Sequence, residues 1–231
     1  MSEALESLAK RTGAVIPAFN AARHLAAVID ATSRFIDRSR IIVVDDGSTD
    51  ATGDVARRCG VEVLVHPENR GKGVALHTGL LGAARMGLEY VITLDADGQH
   101  NPEEIPRFLQ KELDTGADII VGNRMAEIKN MPADRVFANR LTSWFVSARA
   151  GVRVPDSQNG YRLIRTALYT ELKIKSKRYA AESEVLIKGA KAGAKIDWVP
   201  VETIYASEQS SVHPVVDTVR FLRMAIRSFF W

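Results

Sequence analysis

Cysteine is nearly absent: Cys59 stands alone, which excludes an internal disulfide and fits a reducing compartment. No stretch approaches the roughly 18–20 uninterrupted apolar residues that a membrane span needs. The opening residues, MSEALESLAKRTG, carry two glutamates and no apolar core, so no secretion signal is expected there. Net charge is small, +3 over 231 residues, too little to suggest nucleic acid as the main partner. Internal repeats, low-complexity segments and an obvious linker are also missing. What is present, 46% hydrophobic and 26% charged residues, is the composition of a globular chain with a sizeable core. The expectation is a cytosolic enzyme or binding protein.

Through the first half, β-rich runs alternate with helical patterns. Residues 13–19, 40–46, 61–66, 90–97 and 117–122 are predicted strands. Their near-continuous apolar character implies burial on both faces, as in a mostly parallel sheet. Helices are expected over 21–36, 49–59, 74–87 and 102–113, the last with Asn101 as N-cap, Pro102 in its first turn and Glu104 at the capping-box position. Such alternation gives an α/β fold with ligands at the carboxyl ends of the strands. Beyond it lie a basic helical stretch (134–151), the segment VPDSQNGYRLIR (154–165), a helical pattern near 180–192 and two strand-like runs, KIDWVPV and ETIYAS. Residues 1–211 read as one domain and 212–231 as a C-terminal amphipathic helix.

Two strand ends are acidic. In VVDDGSTD (43–50), a turn running into a helix cap explains Gly47, Ser48 and Thr49 well, and two adjacent aspartates poorly. A calcium EF-hand loop fails, because glycine stands at the third position. In YVITLDADGQH (90–100), alternation along an extended segment puts Asp95 and Asp97 on one side. Two such charges about 4 Å apart repel by roughly 4 kcal/mol at an effective dielectric near 20. A divalent cation removes that cost, and hard oxygen ligands suit Mg²⁺ or Mn²⁺. So few protein ligands leave coordination positions for a substrate's phosphates. His100 reads as a nearby supporting or surface residue.

These segments together with VIPAFN (15–20), NRGKG (69–73) and GNR (122–124) resemble the ordered motifs of the family 2 glycosyltransferases with the GT-A fold, a Rossmann-like, mostly parallel sheet flanked by helices. DADGQH and DSQNGYR look most like the polyprenyl-phosphate (dolichyl-phosphate mannosyltransferase-like) branch. The resemblance covers roughly residues 12–210. It implies a GDP- or UDP-sugar donor, an inverting transfer, a diphosphate bridged by Mg²⁺ or Mn²⁺, and a lipid-phosphate acceptor. By match of motif, Asp95, Asp97 and Gln99 would form the metal site. Pro17, Asn20, Asp46 and Asp45 would line the nucleoside pocket, and Arg124 would meet donor or acceptor phosphate.

The loop NRGKG is neither a Walker A sequence nor a complete dinucleotide fingerprint, since Leu76 stands where a third glycine is needed. It reads as a tight loop at a helix N-terminus, with Arg70 and Lys72 supplying positive potential near the donor. Seven arginines lie between Arg124 and Arg165, most of them on a solvated face. Arg135 and Arg162 are candidates for gripping an acceptor phosphate. A hydroxyl acceptor would need a general base, whereas a lipid monophosphate arrives ionised. Asp156 matches the family's acidic residue and is the candidate to act as base or to orient; Glu182 and Glu184 are secondary.

Near the C-terminus Val215, Val219, Leu222, Ile226 and Phe229 recur at helical spacing, with Arg220, Arg223 and Arg227 on another stripe and Phe230 and Trp231 last. This is the pattern of an interfacial helix, and equally of an amphipathic helix packed on its own core. The resemblance favours the membrane surface, with the protein peripheral on the inner face of the cell membrane. Glu202 or Gln209 stands where the family usually has a basic residue, so acceptor-phosphate binding is not assigned to that loop. The alternatives are transfer to a hydroxyl acceptor, such as a glycolipid or polysaccharide sugar, and a non-catalytic sugar-nucleotide-binding module. A dinucleotide-dependent oxidoreductase is more remote.

Overall fold

The apolar runs bury both faces because successive residues serve different cores. The structure, a computed structural model, describes residues 2–126, 128, 131–176, 179–202 and 214–230, the side chains of 179 and 214–220 excepted. In chain order come α1 (Glu3–Arg11), β1 (Thr12–Ala18), α2 (Leu25–Thr32), β2 (Ile41–Asp45), α3 (Thr52–Arg58), β3 (Glu62–Val65), α4 (Lys72–Arg85) and β4 (Tyr90–Thr93). Then follow α5 (Ile105–Thr115), β5 (Ile119–Asn123), α6 (Ala133–Ala150), β6 (Arg162–Arg165), α7 (Thr166–Glu171), α8 (Tyr179–Lys191), β7 (Ile196–Pro200) and α9 (Pro214–Ser228).

Among the described residues, seven strands form a sheet in the order β3-β2-β1-β4-β6-β5-β7. Neighbours are parallel except at β6, which runs antiparallel to β4 and to β5. Ile16, Val43, Ile92 and Ile120 point into a core shared with Leu8, Leu25, Ile29 and Phe108 of α1, α2 and α5. Their neighbours Val15, Ile42, Val91 and Ile119 point the other way, against Ala75, Leu80, Val146 and Leu186 of α4, α6 and α8. Helix α4 lies close to the sheet because Gly79 faces it: a Cβ there would sit 2.4 Å from Val15 Cγ1.

The predicted α/β fold is the one observed, with local corrections. The strand expected over 90–97 ends at Thr93, so Asp95 and Asp97 occupy the following turn. Strand β6 and helices α1 and α7 were not expected. Asn101 Oδ1 does accept the Glu103 N–H, at 3.1 Å. Glu104, however, closes no capping box: its Oε1 accepts the N–H of Glu202 beyond β7, at 3.1 Å. A 3₁₀ turn over Pro102–Glu104 replaces the first α-turn. The run ETIYAS beyond Glu202, Gln209 and Trp231 lie outside the described residues. Helix α9 packs on α8, burying Met224, Ala225 and Ser228 and leaving Leu222, Ile226, Phe229 and Phe230 exposed. That helix thus packs one face inward and leaves an apolar face toward solvent.

Candidate active site

From β1 the chain passes to β2 on one side, while β4 pairs with β1 on the other. The crevice at the carboxyl ends of β1 and β4 is thus a topological switch point, where open α/β sheets bind ligands. Most of the sequence-predicted residues gather around it.

On the β2 side the loops are stitched to one another. Asn20, held at φ 50, accepts the Thr49 N–H on Oδ1 at 2.9 Å and donates its own N–H to Ser48 Oγ at 3.0 Å. Asn tolerates that left-handed backbone better than most residues. Asp45 accepts the Ser48 N–H at 3.0 Å, and Asp50 accepts from Ala22 and Thr52. Pro17 is buried within β1. Asp46 lies beneath the next loop, buried, with its carboxylate accepting from Arg70 N (3.0 Å), Gly71 N (2.7 Å) and His66 Nδ1 (2.6 Å). His66 Nε2 meets Thr78 Oγ1 at 2.9 Å. Gly71, at φ 91, lets the chain turn there into α4. Asp46 thereby fixes the backbone that presents Lys72.

Lys72 reaches across to the acids after β4. Its Nζ is 2.7 Å from Asp95 Oδ1, 2.9 Å from Oδ2 and 3.2 Å from Glu182 Oε1. Burial acts to raise the Asp95 carboxyl, but Lys72 and His100 outweigh it and hold it at about 2. Asp97 goes the other way, pushed up by burial and then by the charge of Asp95. Its Oδ1 accepts the Gln99 N–H at 2.9 Å, so Gln99 serves Asp97 through its backbone. His100 is buried, and its Nδ1 accepts the Asp95 N–H at 3.0 Å. The ring stacks on Tyr161 with centroids 5.0 Å apart, and burial lowers its pKa below 6.5, keeping it neutral at pH 7.

Asp97 is raised first by burial and then by the charge of Asp95 beside it, and a divalent cation between two such carboxylates would offset both. Asp95 and Asp97 offer the hard oxygens that Mg²⁺ or Mn²⁺ prefers. Among the described residues no cluster of three or more His, Cys, Asp or Glu is arranged as a metal site. An ion held here would complete its shell with ligand oxygens.

At the end of β5, Arg124 meets Asp156 in a two-pronged pair, Nε to Oδ2 at 2.8 Å and Nη2 to Oδ1 at 3.0 Å. Asp156 is wholly buried and accepts also from Arg124 N, Asn139 Nδ2 and Gln158 N. Burial acts to raise it, but these donors, Arg124 foremost, hold it below the usual carboxylate range. Five donors leave it no oxygen ready to take a proton. Arg162, expected to face an acceptor phosphate, is instead 2% exposed. It donates to three backbone carbonyls, those of Asn159, Glu182 and Ser157, at 2.8, 2.7 and 2.9 Å. Its guanidinium builds the loop below Asp156, and the structure does not bring it to the crevice. Arg135 is exposed on the first turn of α6. Glu184 is buried and spent on Lys175 N, Ser176 N and Lys188.

His66, Asn139, Tyr161 and the closeness of Glu182 to Lys72 were not anticipated. Each supports a group the motifs did name, and each comes from an element remote in sequence.

The sequence model of the family described as Glycosyl transferase family 2 matches residues 14–169. A UDP-N-acetylglucosamine–dolichyl-phosphate N-acetylglucosaminyltransferase of Methanococcus voltae is 32% identical over 83% of this chain and 84% of its own. The polyprenol monophosphomannose synthase of Mycolicibacterium smegmatis is 28% identical over 83% of this chain and 77% of its own. Among solved structures, glucosyl-3-phosphoglycerate synthase from Mycobacterium tuberculosis with Mn²⁺, UDP and phosphoglyceric acid superposes with a TM-score of 0.70, covering 98% of this chain and 80% of that one. At 22% identity the last likeness speaks to the fold alone. The family match, spanning more than half the chain and all the acids of the crevice up to Asp156, carries the conclusion: the chain belongs to glycosyl transferase family 2.

Proposed function

We propose that this glycosyltransferase is metal-dependent and inverting, and moves a sugar from a nucleoside diphosphate sugar to polyprenyl phosphate at a membrane surface. The observation that carries the reading is the saturation of Asp156. A hydroxyl acceptor needs a base within reach of its proton, and Asp156 already accepts five hydrogen bonds. A phosphate acceptor arrives ionised and needs an oriented cation, which the Asp156–Arg124 pair supplies. The two relatives named for dolichyl-phosphate and polyprenol substrates support the same acceptor class.

In this reading Asp45, Asn20 and Pro17 shape the nucleoside side, and Asp46 acts through the loop that presents Lys72. Asp95 and Asp97 would hold Mg²⁺ or Mn²⁺, with Gln99 fixing Asp97. When bound, the ion neutralises charge on the diphosphate leaving group. Lys72 faces the same diphosphate, and Arg124 faces the incoming phosphate, with Arg135 at the rim.

Helices α6 and α9 support the membrane part. Phe137, Leu141 and Trp144, one stripe of α6, are 70%, 55% and 68% exposed. Helix α6 touches the C-terminal segment through the Phe145–Phe221 contact and through Arg149, whose guanidinium lies 4.2 Å over the Phe229 ring, and Leu222, Ile226, Phe229 and Phe230 of that segment are also exposed. Arg140, Arg223 and Arg227 are exposed alongside. An apolar face with a basic edge is what an anionic bilayer binds. No described helix is long and apolar enough to cross a membrane. Residues 212–231 then act as part of the membrane-facing edge, on the cytoplasmic side.

The test is a panel of UDP- and GDP-sugars with Mn²⁺, scored by nucleoside diphosphate release with and without polyprenyl phosphate. Release that rises with the lipid and yields a sugar–phosphate–lipid product is expected. Release indifferent to lipid phosphate, yet stimulated by a hydroxyl acceptor, would overturn the acceptor.

A further inference from the structure

A small cavity opens where the loop before α8 meets the last turn of α9. Its volume is about 190 Å³, and Lys175, Ser176, Glu184, Arg227 and Phe230 line it. Lys175 and Arg227 are exposed, and among the described residues neither side chain pairs with an acid. The carboxylate beside them is already committed. Glu184 is fully buried and accepts from Lys175 N (3.1 Å) and Ser176 N (2.6 Å), with Lys188 Nζ at 2.5 Å. Burial acts to raise its carboxyl, but Lys188 and Ser176 outweigh it and hold it below the usual range. Glu184 therefore stays ionised with its charge answered from inside. The Lys175 ammonium and the Arg227 guanidinium remain as surplus positive charge on the cavity wall.

Size and position narrow the occupant. Pockets for drug-sized ligands run to about 300–1,000 Å³, so a nucleotide sugar is too large for this one. A water molecule takes about 30 Å³, which leaves room for a compact group of several heavy atoms. Two unpaired cations select an anion, and a guanidinium beside an ammonium suits phosphate. Phe230, 85% exposed, stands one turn beyond Arg227, its N–H donating to Arg227 O at 3.0 Å. In the membrane reading that ring enters the bilayer, which sets the two cations at the level of the headgroups. The crevice lies elsewhere: Glu182, which faces Lys72, and Glu184 are two residues apart and point to different sides of α8.

We propose that this cavity is a phosphate site, filled at the membrane by the phosphate of an anionic lipid headgroup that Lys175 and Arg227 grip beside Phe230. The site deepens the membrane reading above and rests on it for the source of the phosphate. It is separate from the acceptor phosphate's place at Arg124.

Co-sedimentation with phosphatidylcholine vesicles, with and without phosphatidylglycerol, tests it, together with calorimetric titration of inorganic phosphate. The variants are Lys175→Ala with Arg227→Ala, the charge-conserving Arg227→Lys, and Arg223→Lys, which makes the same exchange outside the cavity. Diffuse attraction to an anionic surface is worth about fivefold per basic residue and does not distinguish lysine from arginine. Losing a hydrogen bond to a charged group weakens binding by about 10- to 100-fold. Arg227→Lys is therefore expected to weaken binding to phosphatidylglycerol vesicles by about tenfold, and the double variant by more. Arg223→Lys should bind as wild type does, and phosphatidylcholine vesicles should not distinguish any of these proteins. Arg227→Lys indistinguishable from wild type on phosphatidylglycerol, with no phosphate site lost in the double variant, would overturn the proposal. Loss of a phosphate site in the double variant with vesicle binding unchanged would keep the site and make its ligand a soluble phosphate. A wild type that sediments with neither vesicle sinks the membrane reading, and the cavity then stands or falls on the phosphate titration alone.

Discussion

The two sides of the crevice use the same residue type in opposite ways. After β2, the carboxylates are satisfied: Asp46 accepts from three donors, and Asp45 and Asp50 cap the turn around them. After β4, Asp97 is pushed up by burial and by Asp95, and Asp95 is held down chiefly by a lysine that Glu182 shares. A saturated acid has spent its charge on the backbone, and its removal damages the fold first. An acid with charge left over is open to a ligand, and in the function proposed above its removal damages function first. Each variant below tests one side of that division.

The largest effect is expected on the unsatisfied side. Asp97→Ala should reduce transfer by roughly 10³-fold, since the cation's stabilisation of a leaving diphosphate amounts to several kcal/mol. Thermal unfolding should show no loss of stability, because removing Asp97 relieves its repulsion with Asp95. Full activity in this variant, or in wild type with EDTA, would break the comparison.

Asp156→Asn sits on the satisfied side and should act mainly on stability. Losing the charge opposite Arg124, itself partly exposed, should cost about 2–3 kcal/mol in denaturant titration. Because Arg124 and the other donors depress the Asp156 carboxyl, its contribution is complete at neutral pH and is lost on acidification below the unfolded value, about 3.9. Transfer to lipid phosphate should fall only modestly, with the acidic limb of the rate profile retained. A loss above about a thousandfold, with that limb abolished, would make Asp156 a base.

Asp46→Ala should raise donor KM more than it lowers kcat, as expected when a loop that presents Lys72 is loosened. Stability should drop by about 1–3 kcal/mol, because two N–H groups and His66 lose their acceptor. A collapsed kcat at unchanged KM would move Asp46 into the reacting centre.

Acidity should separate the two sides further. Asp97, raised in the folded state, binds its proton more readily there than when unfolded, so its protonation favours the metal-free fold as pH falls and this gain is lost as pH rises through its folded value. Cation binding needs the carboxylate. Mn²⁺ affinity measured over roughly pH 5 to 8 should therefore weaken toward acid. An affinity flat across that range would place the cation elsewhere.

The smallest effect on chemistry belongs to α6 and α9. Trp144→Glu with Phe230→Glu should reduce co-sedimentation with phosphatidylglycerol vesicles by about tenfold or more. Turnover of a short, water-soluble phosphate acceptor should stay unchanged. Undiminished vesicle binding would remove the membrane from this face.

The sheet was legible because its strands are buried on both faces, and an apolar run between turn residues says so directly. Strand β6 was hidden by its own ends, since Arg162 and Arg165 bracket only two apolar residues. Burial of an arginine by three carbonyls leaves no trace in local pattern. Helix α1 was readable, with Ser2 as cap, Glu3 and Glu6 in the first turn and Lys10 and Arg11 in the last. The motifs located the crevice, and they did not separate Asp46 from Asp97, because saturation depends on the loop at Arg70 and Gly71. Glu182 was legible as a secondary acid of the site, and its place beside Lys72 only after folding.

Strand β5 has as its neighbours β6 and β7, both made later. During synthesis β1 to β4 can assemble as soon as they emerge, while β5 waits with two bare edges until residues 162–165 appear. Arg124, at its end, has no Asp156 until then. The Arg124–Asp156 side of the crevice therefore forms late, and only in a chain that has reached β6. A nascent chain stopped short of that point exposes two unpaired strand edges, the kind of surface on which chains associate. In pulsed hydrogen exchange during refolding, amides of β5 should gain protection together with those of β6 and after those of β1 and β2.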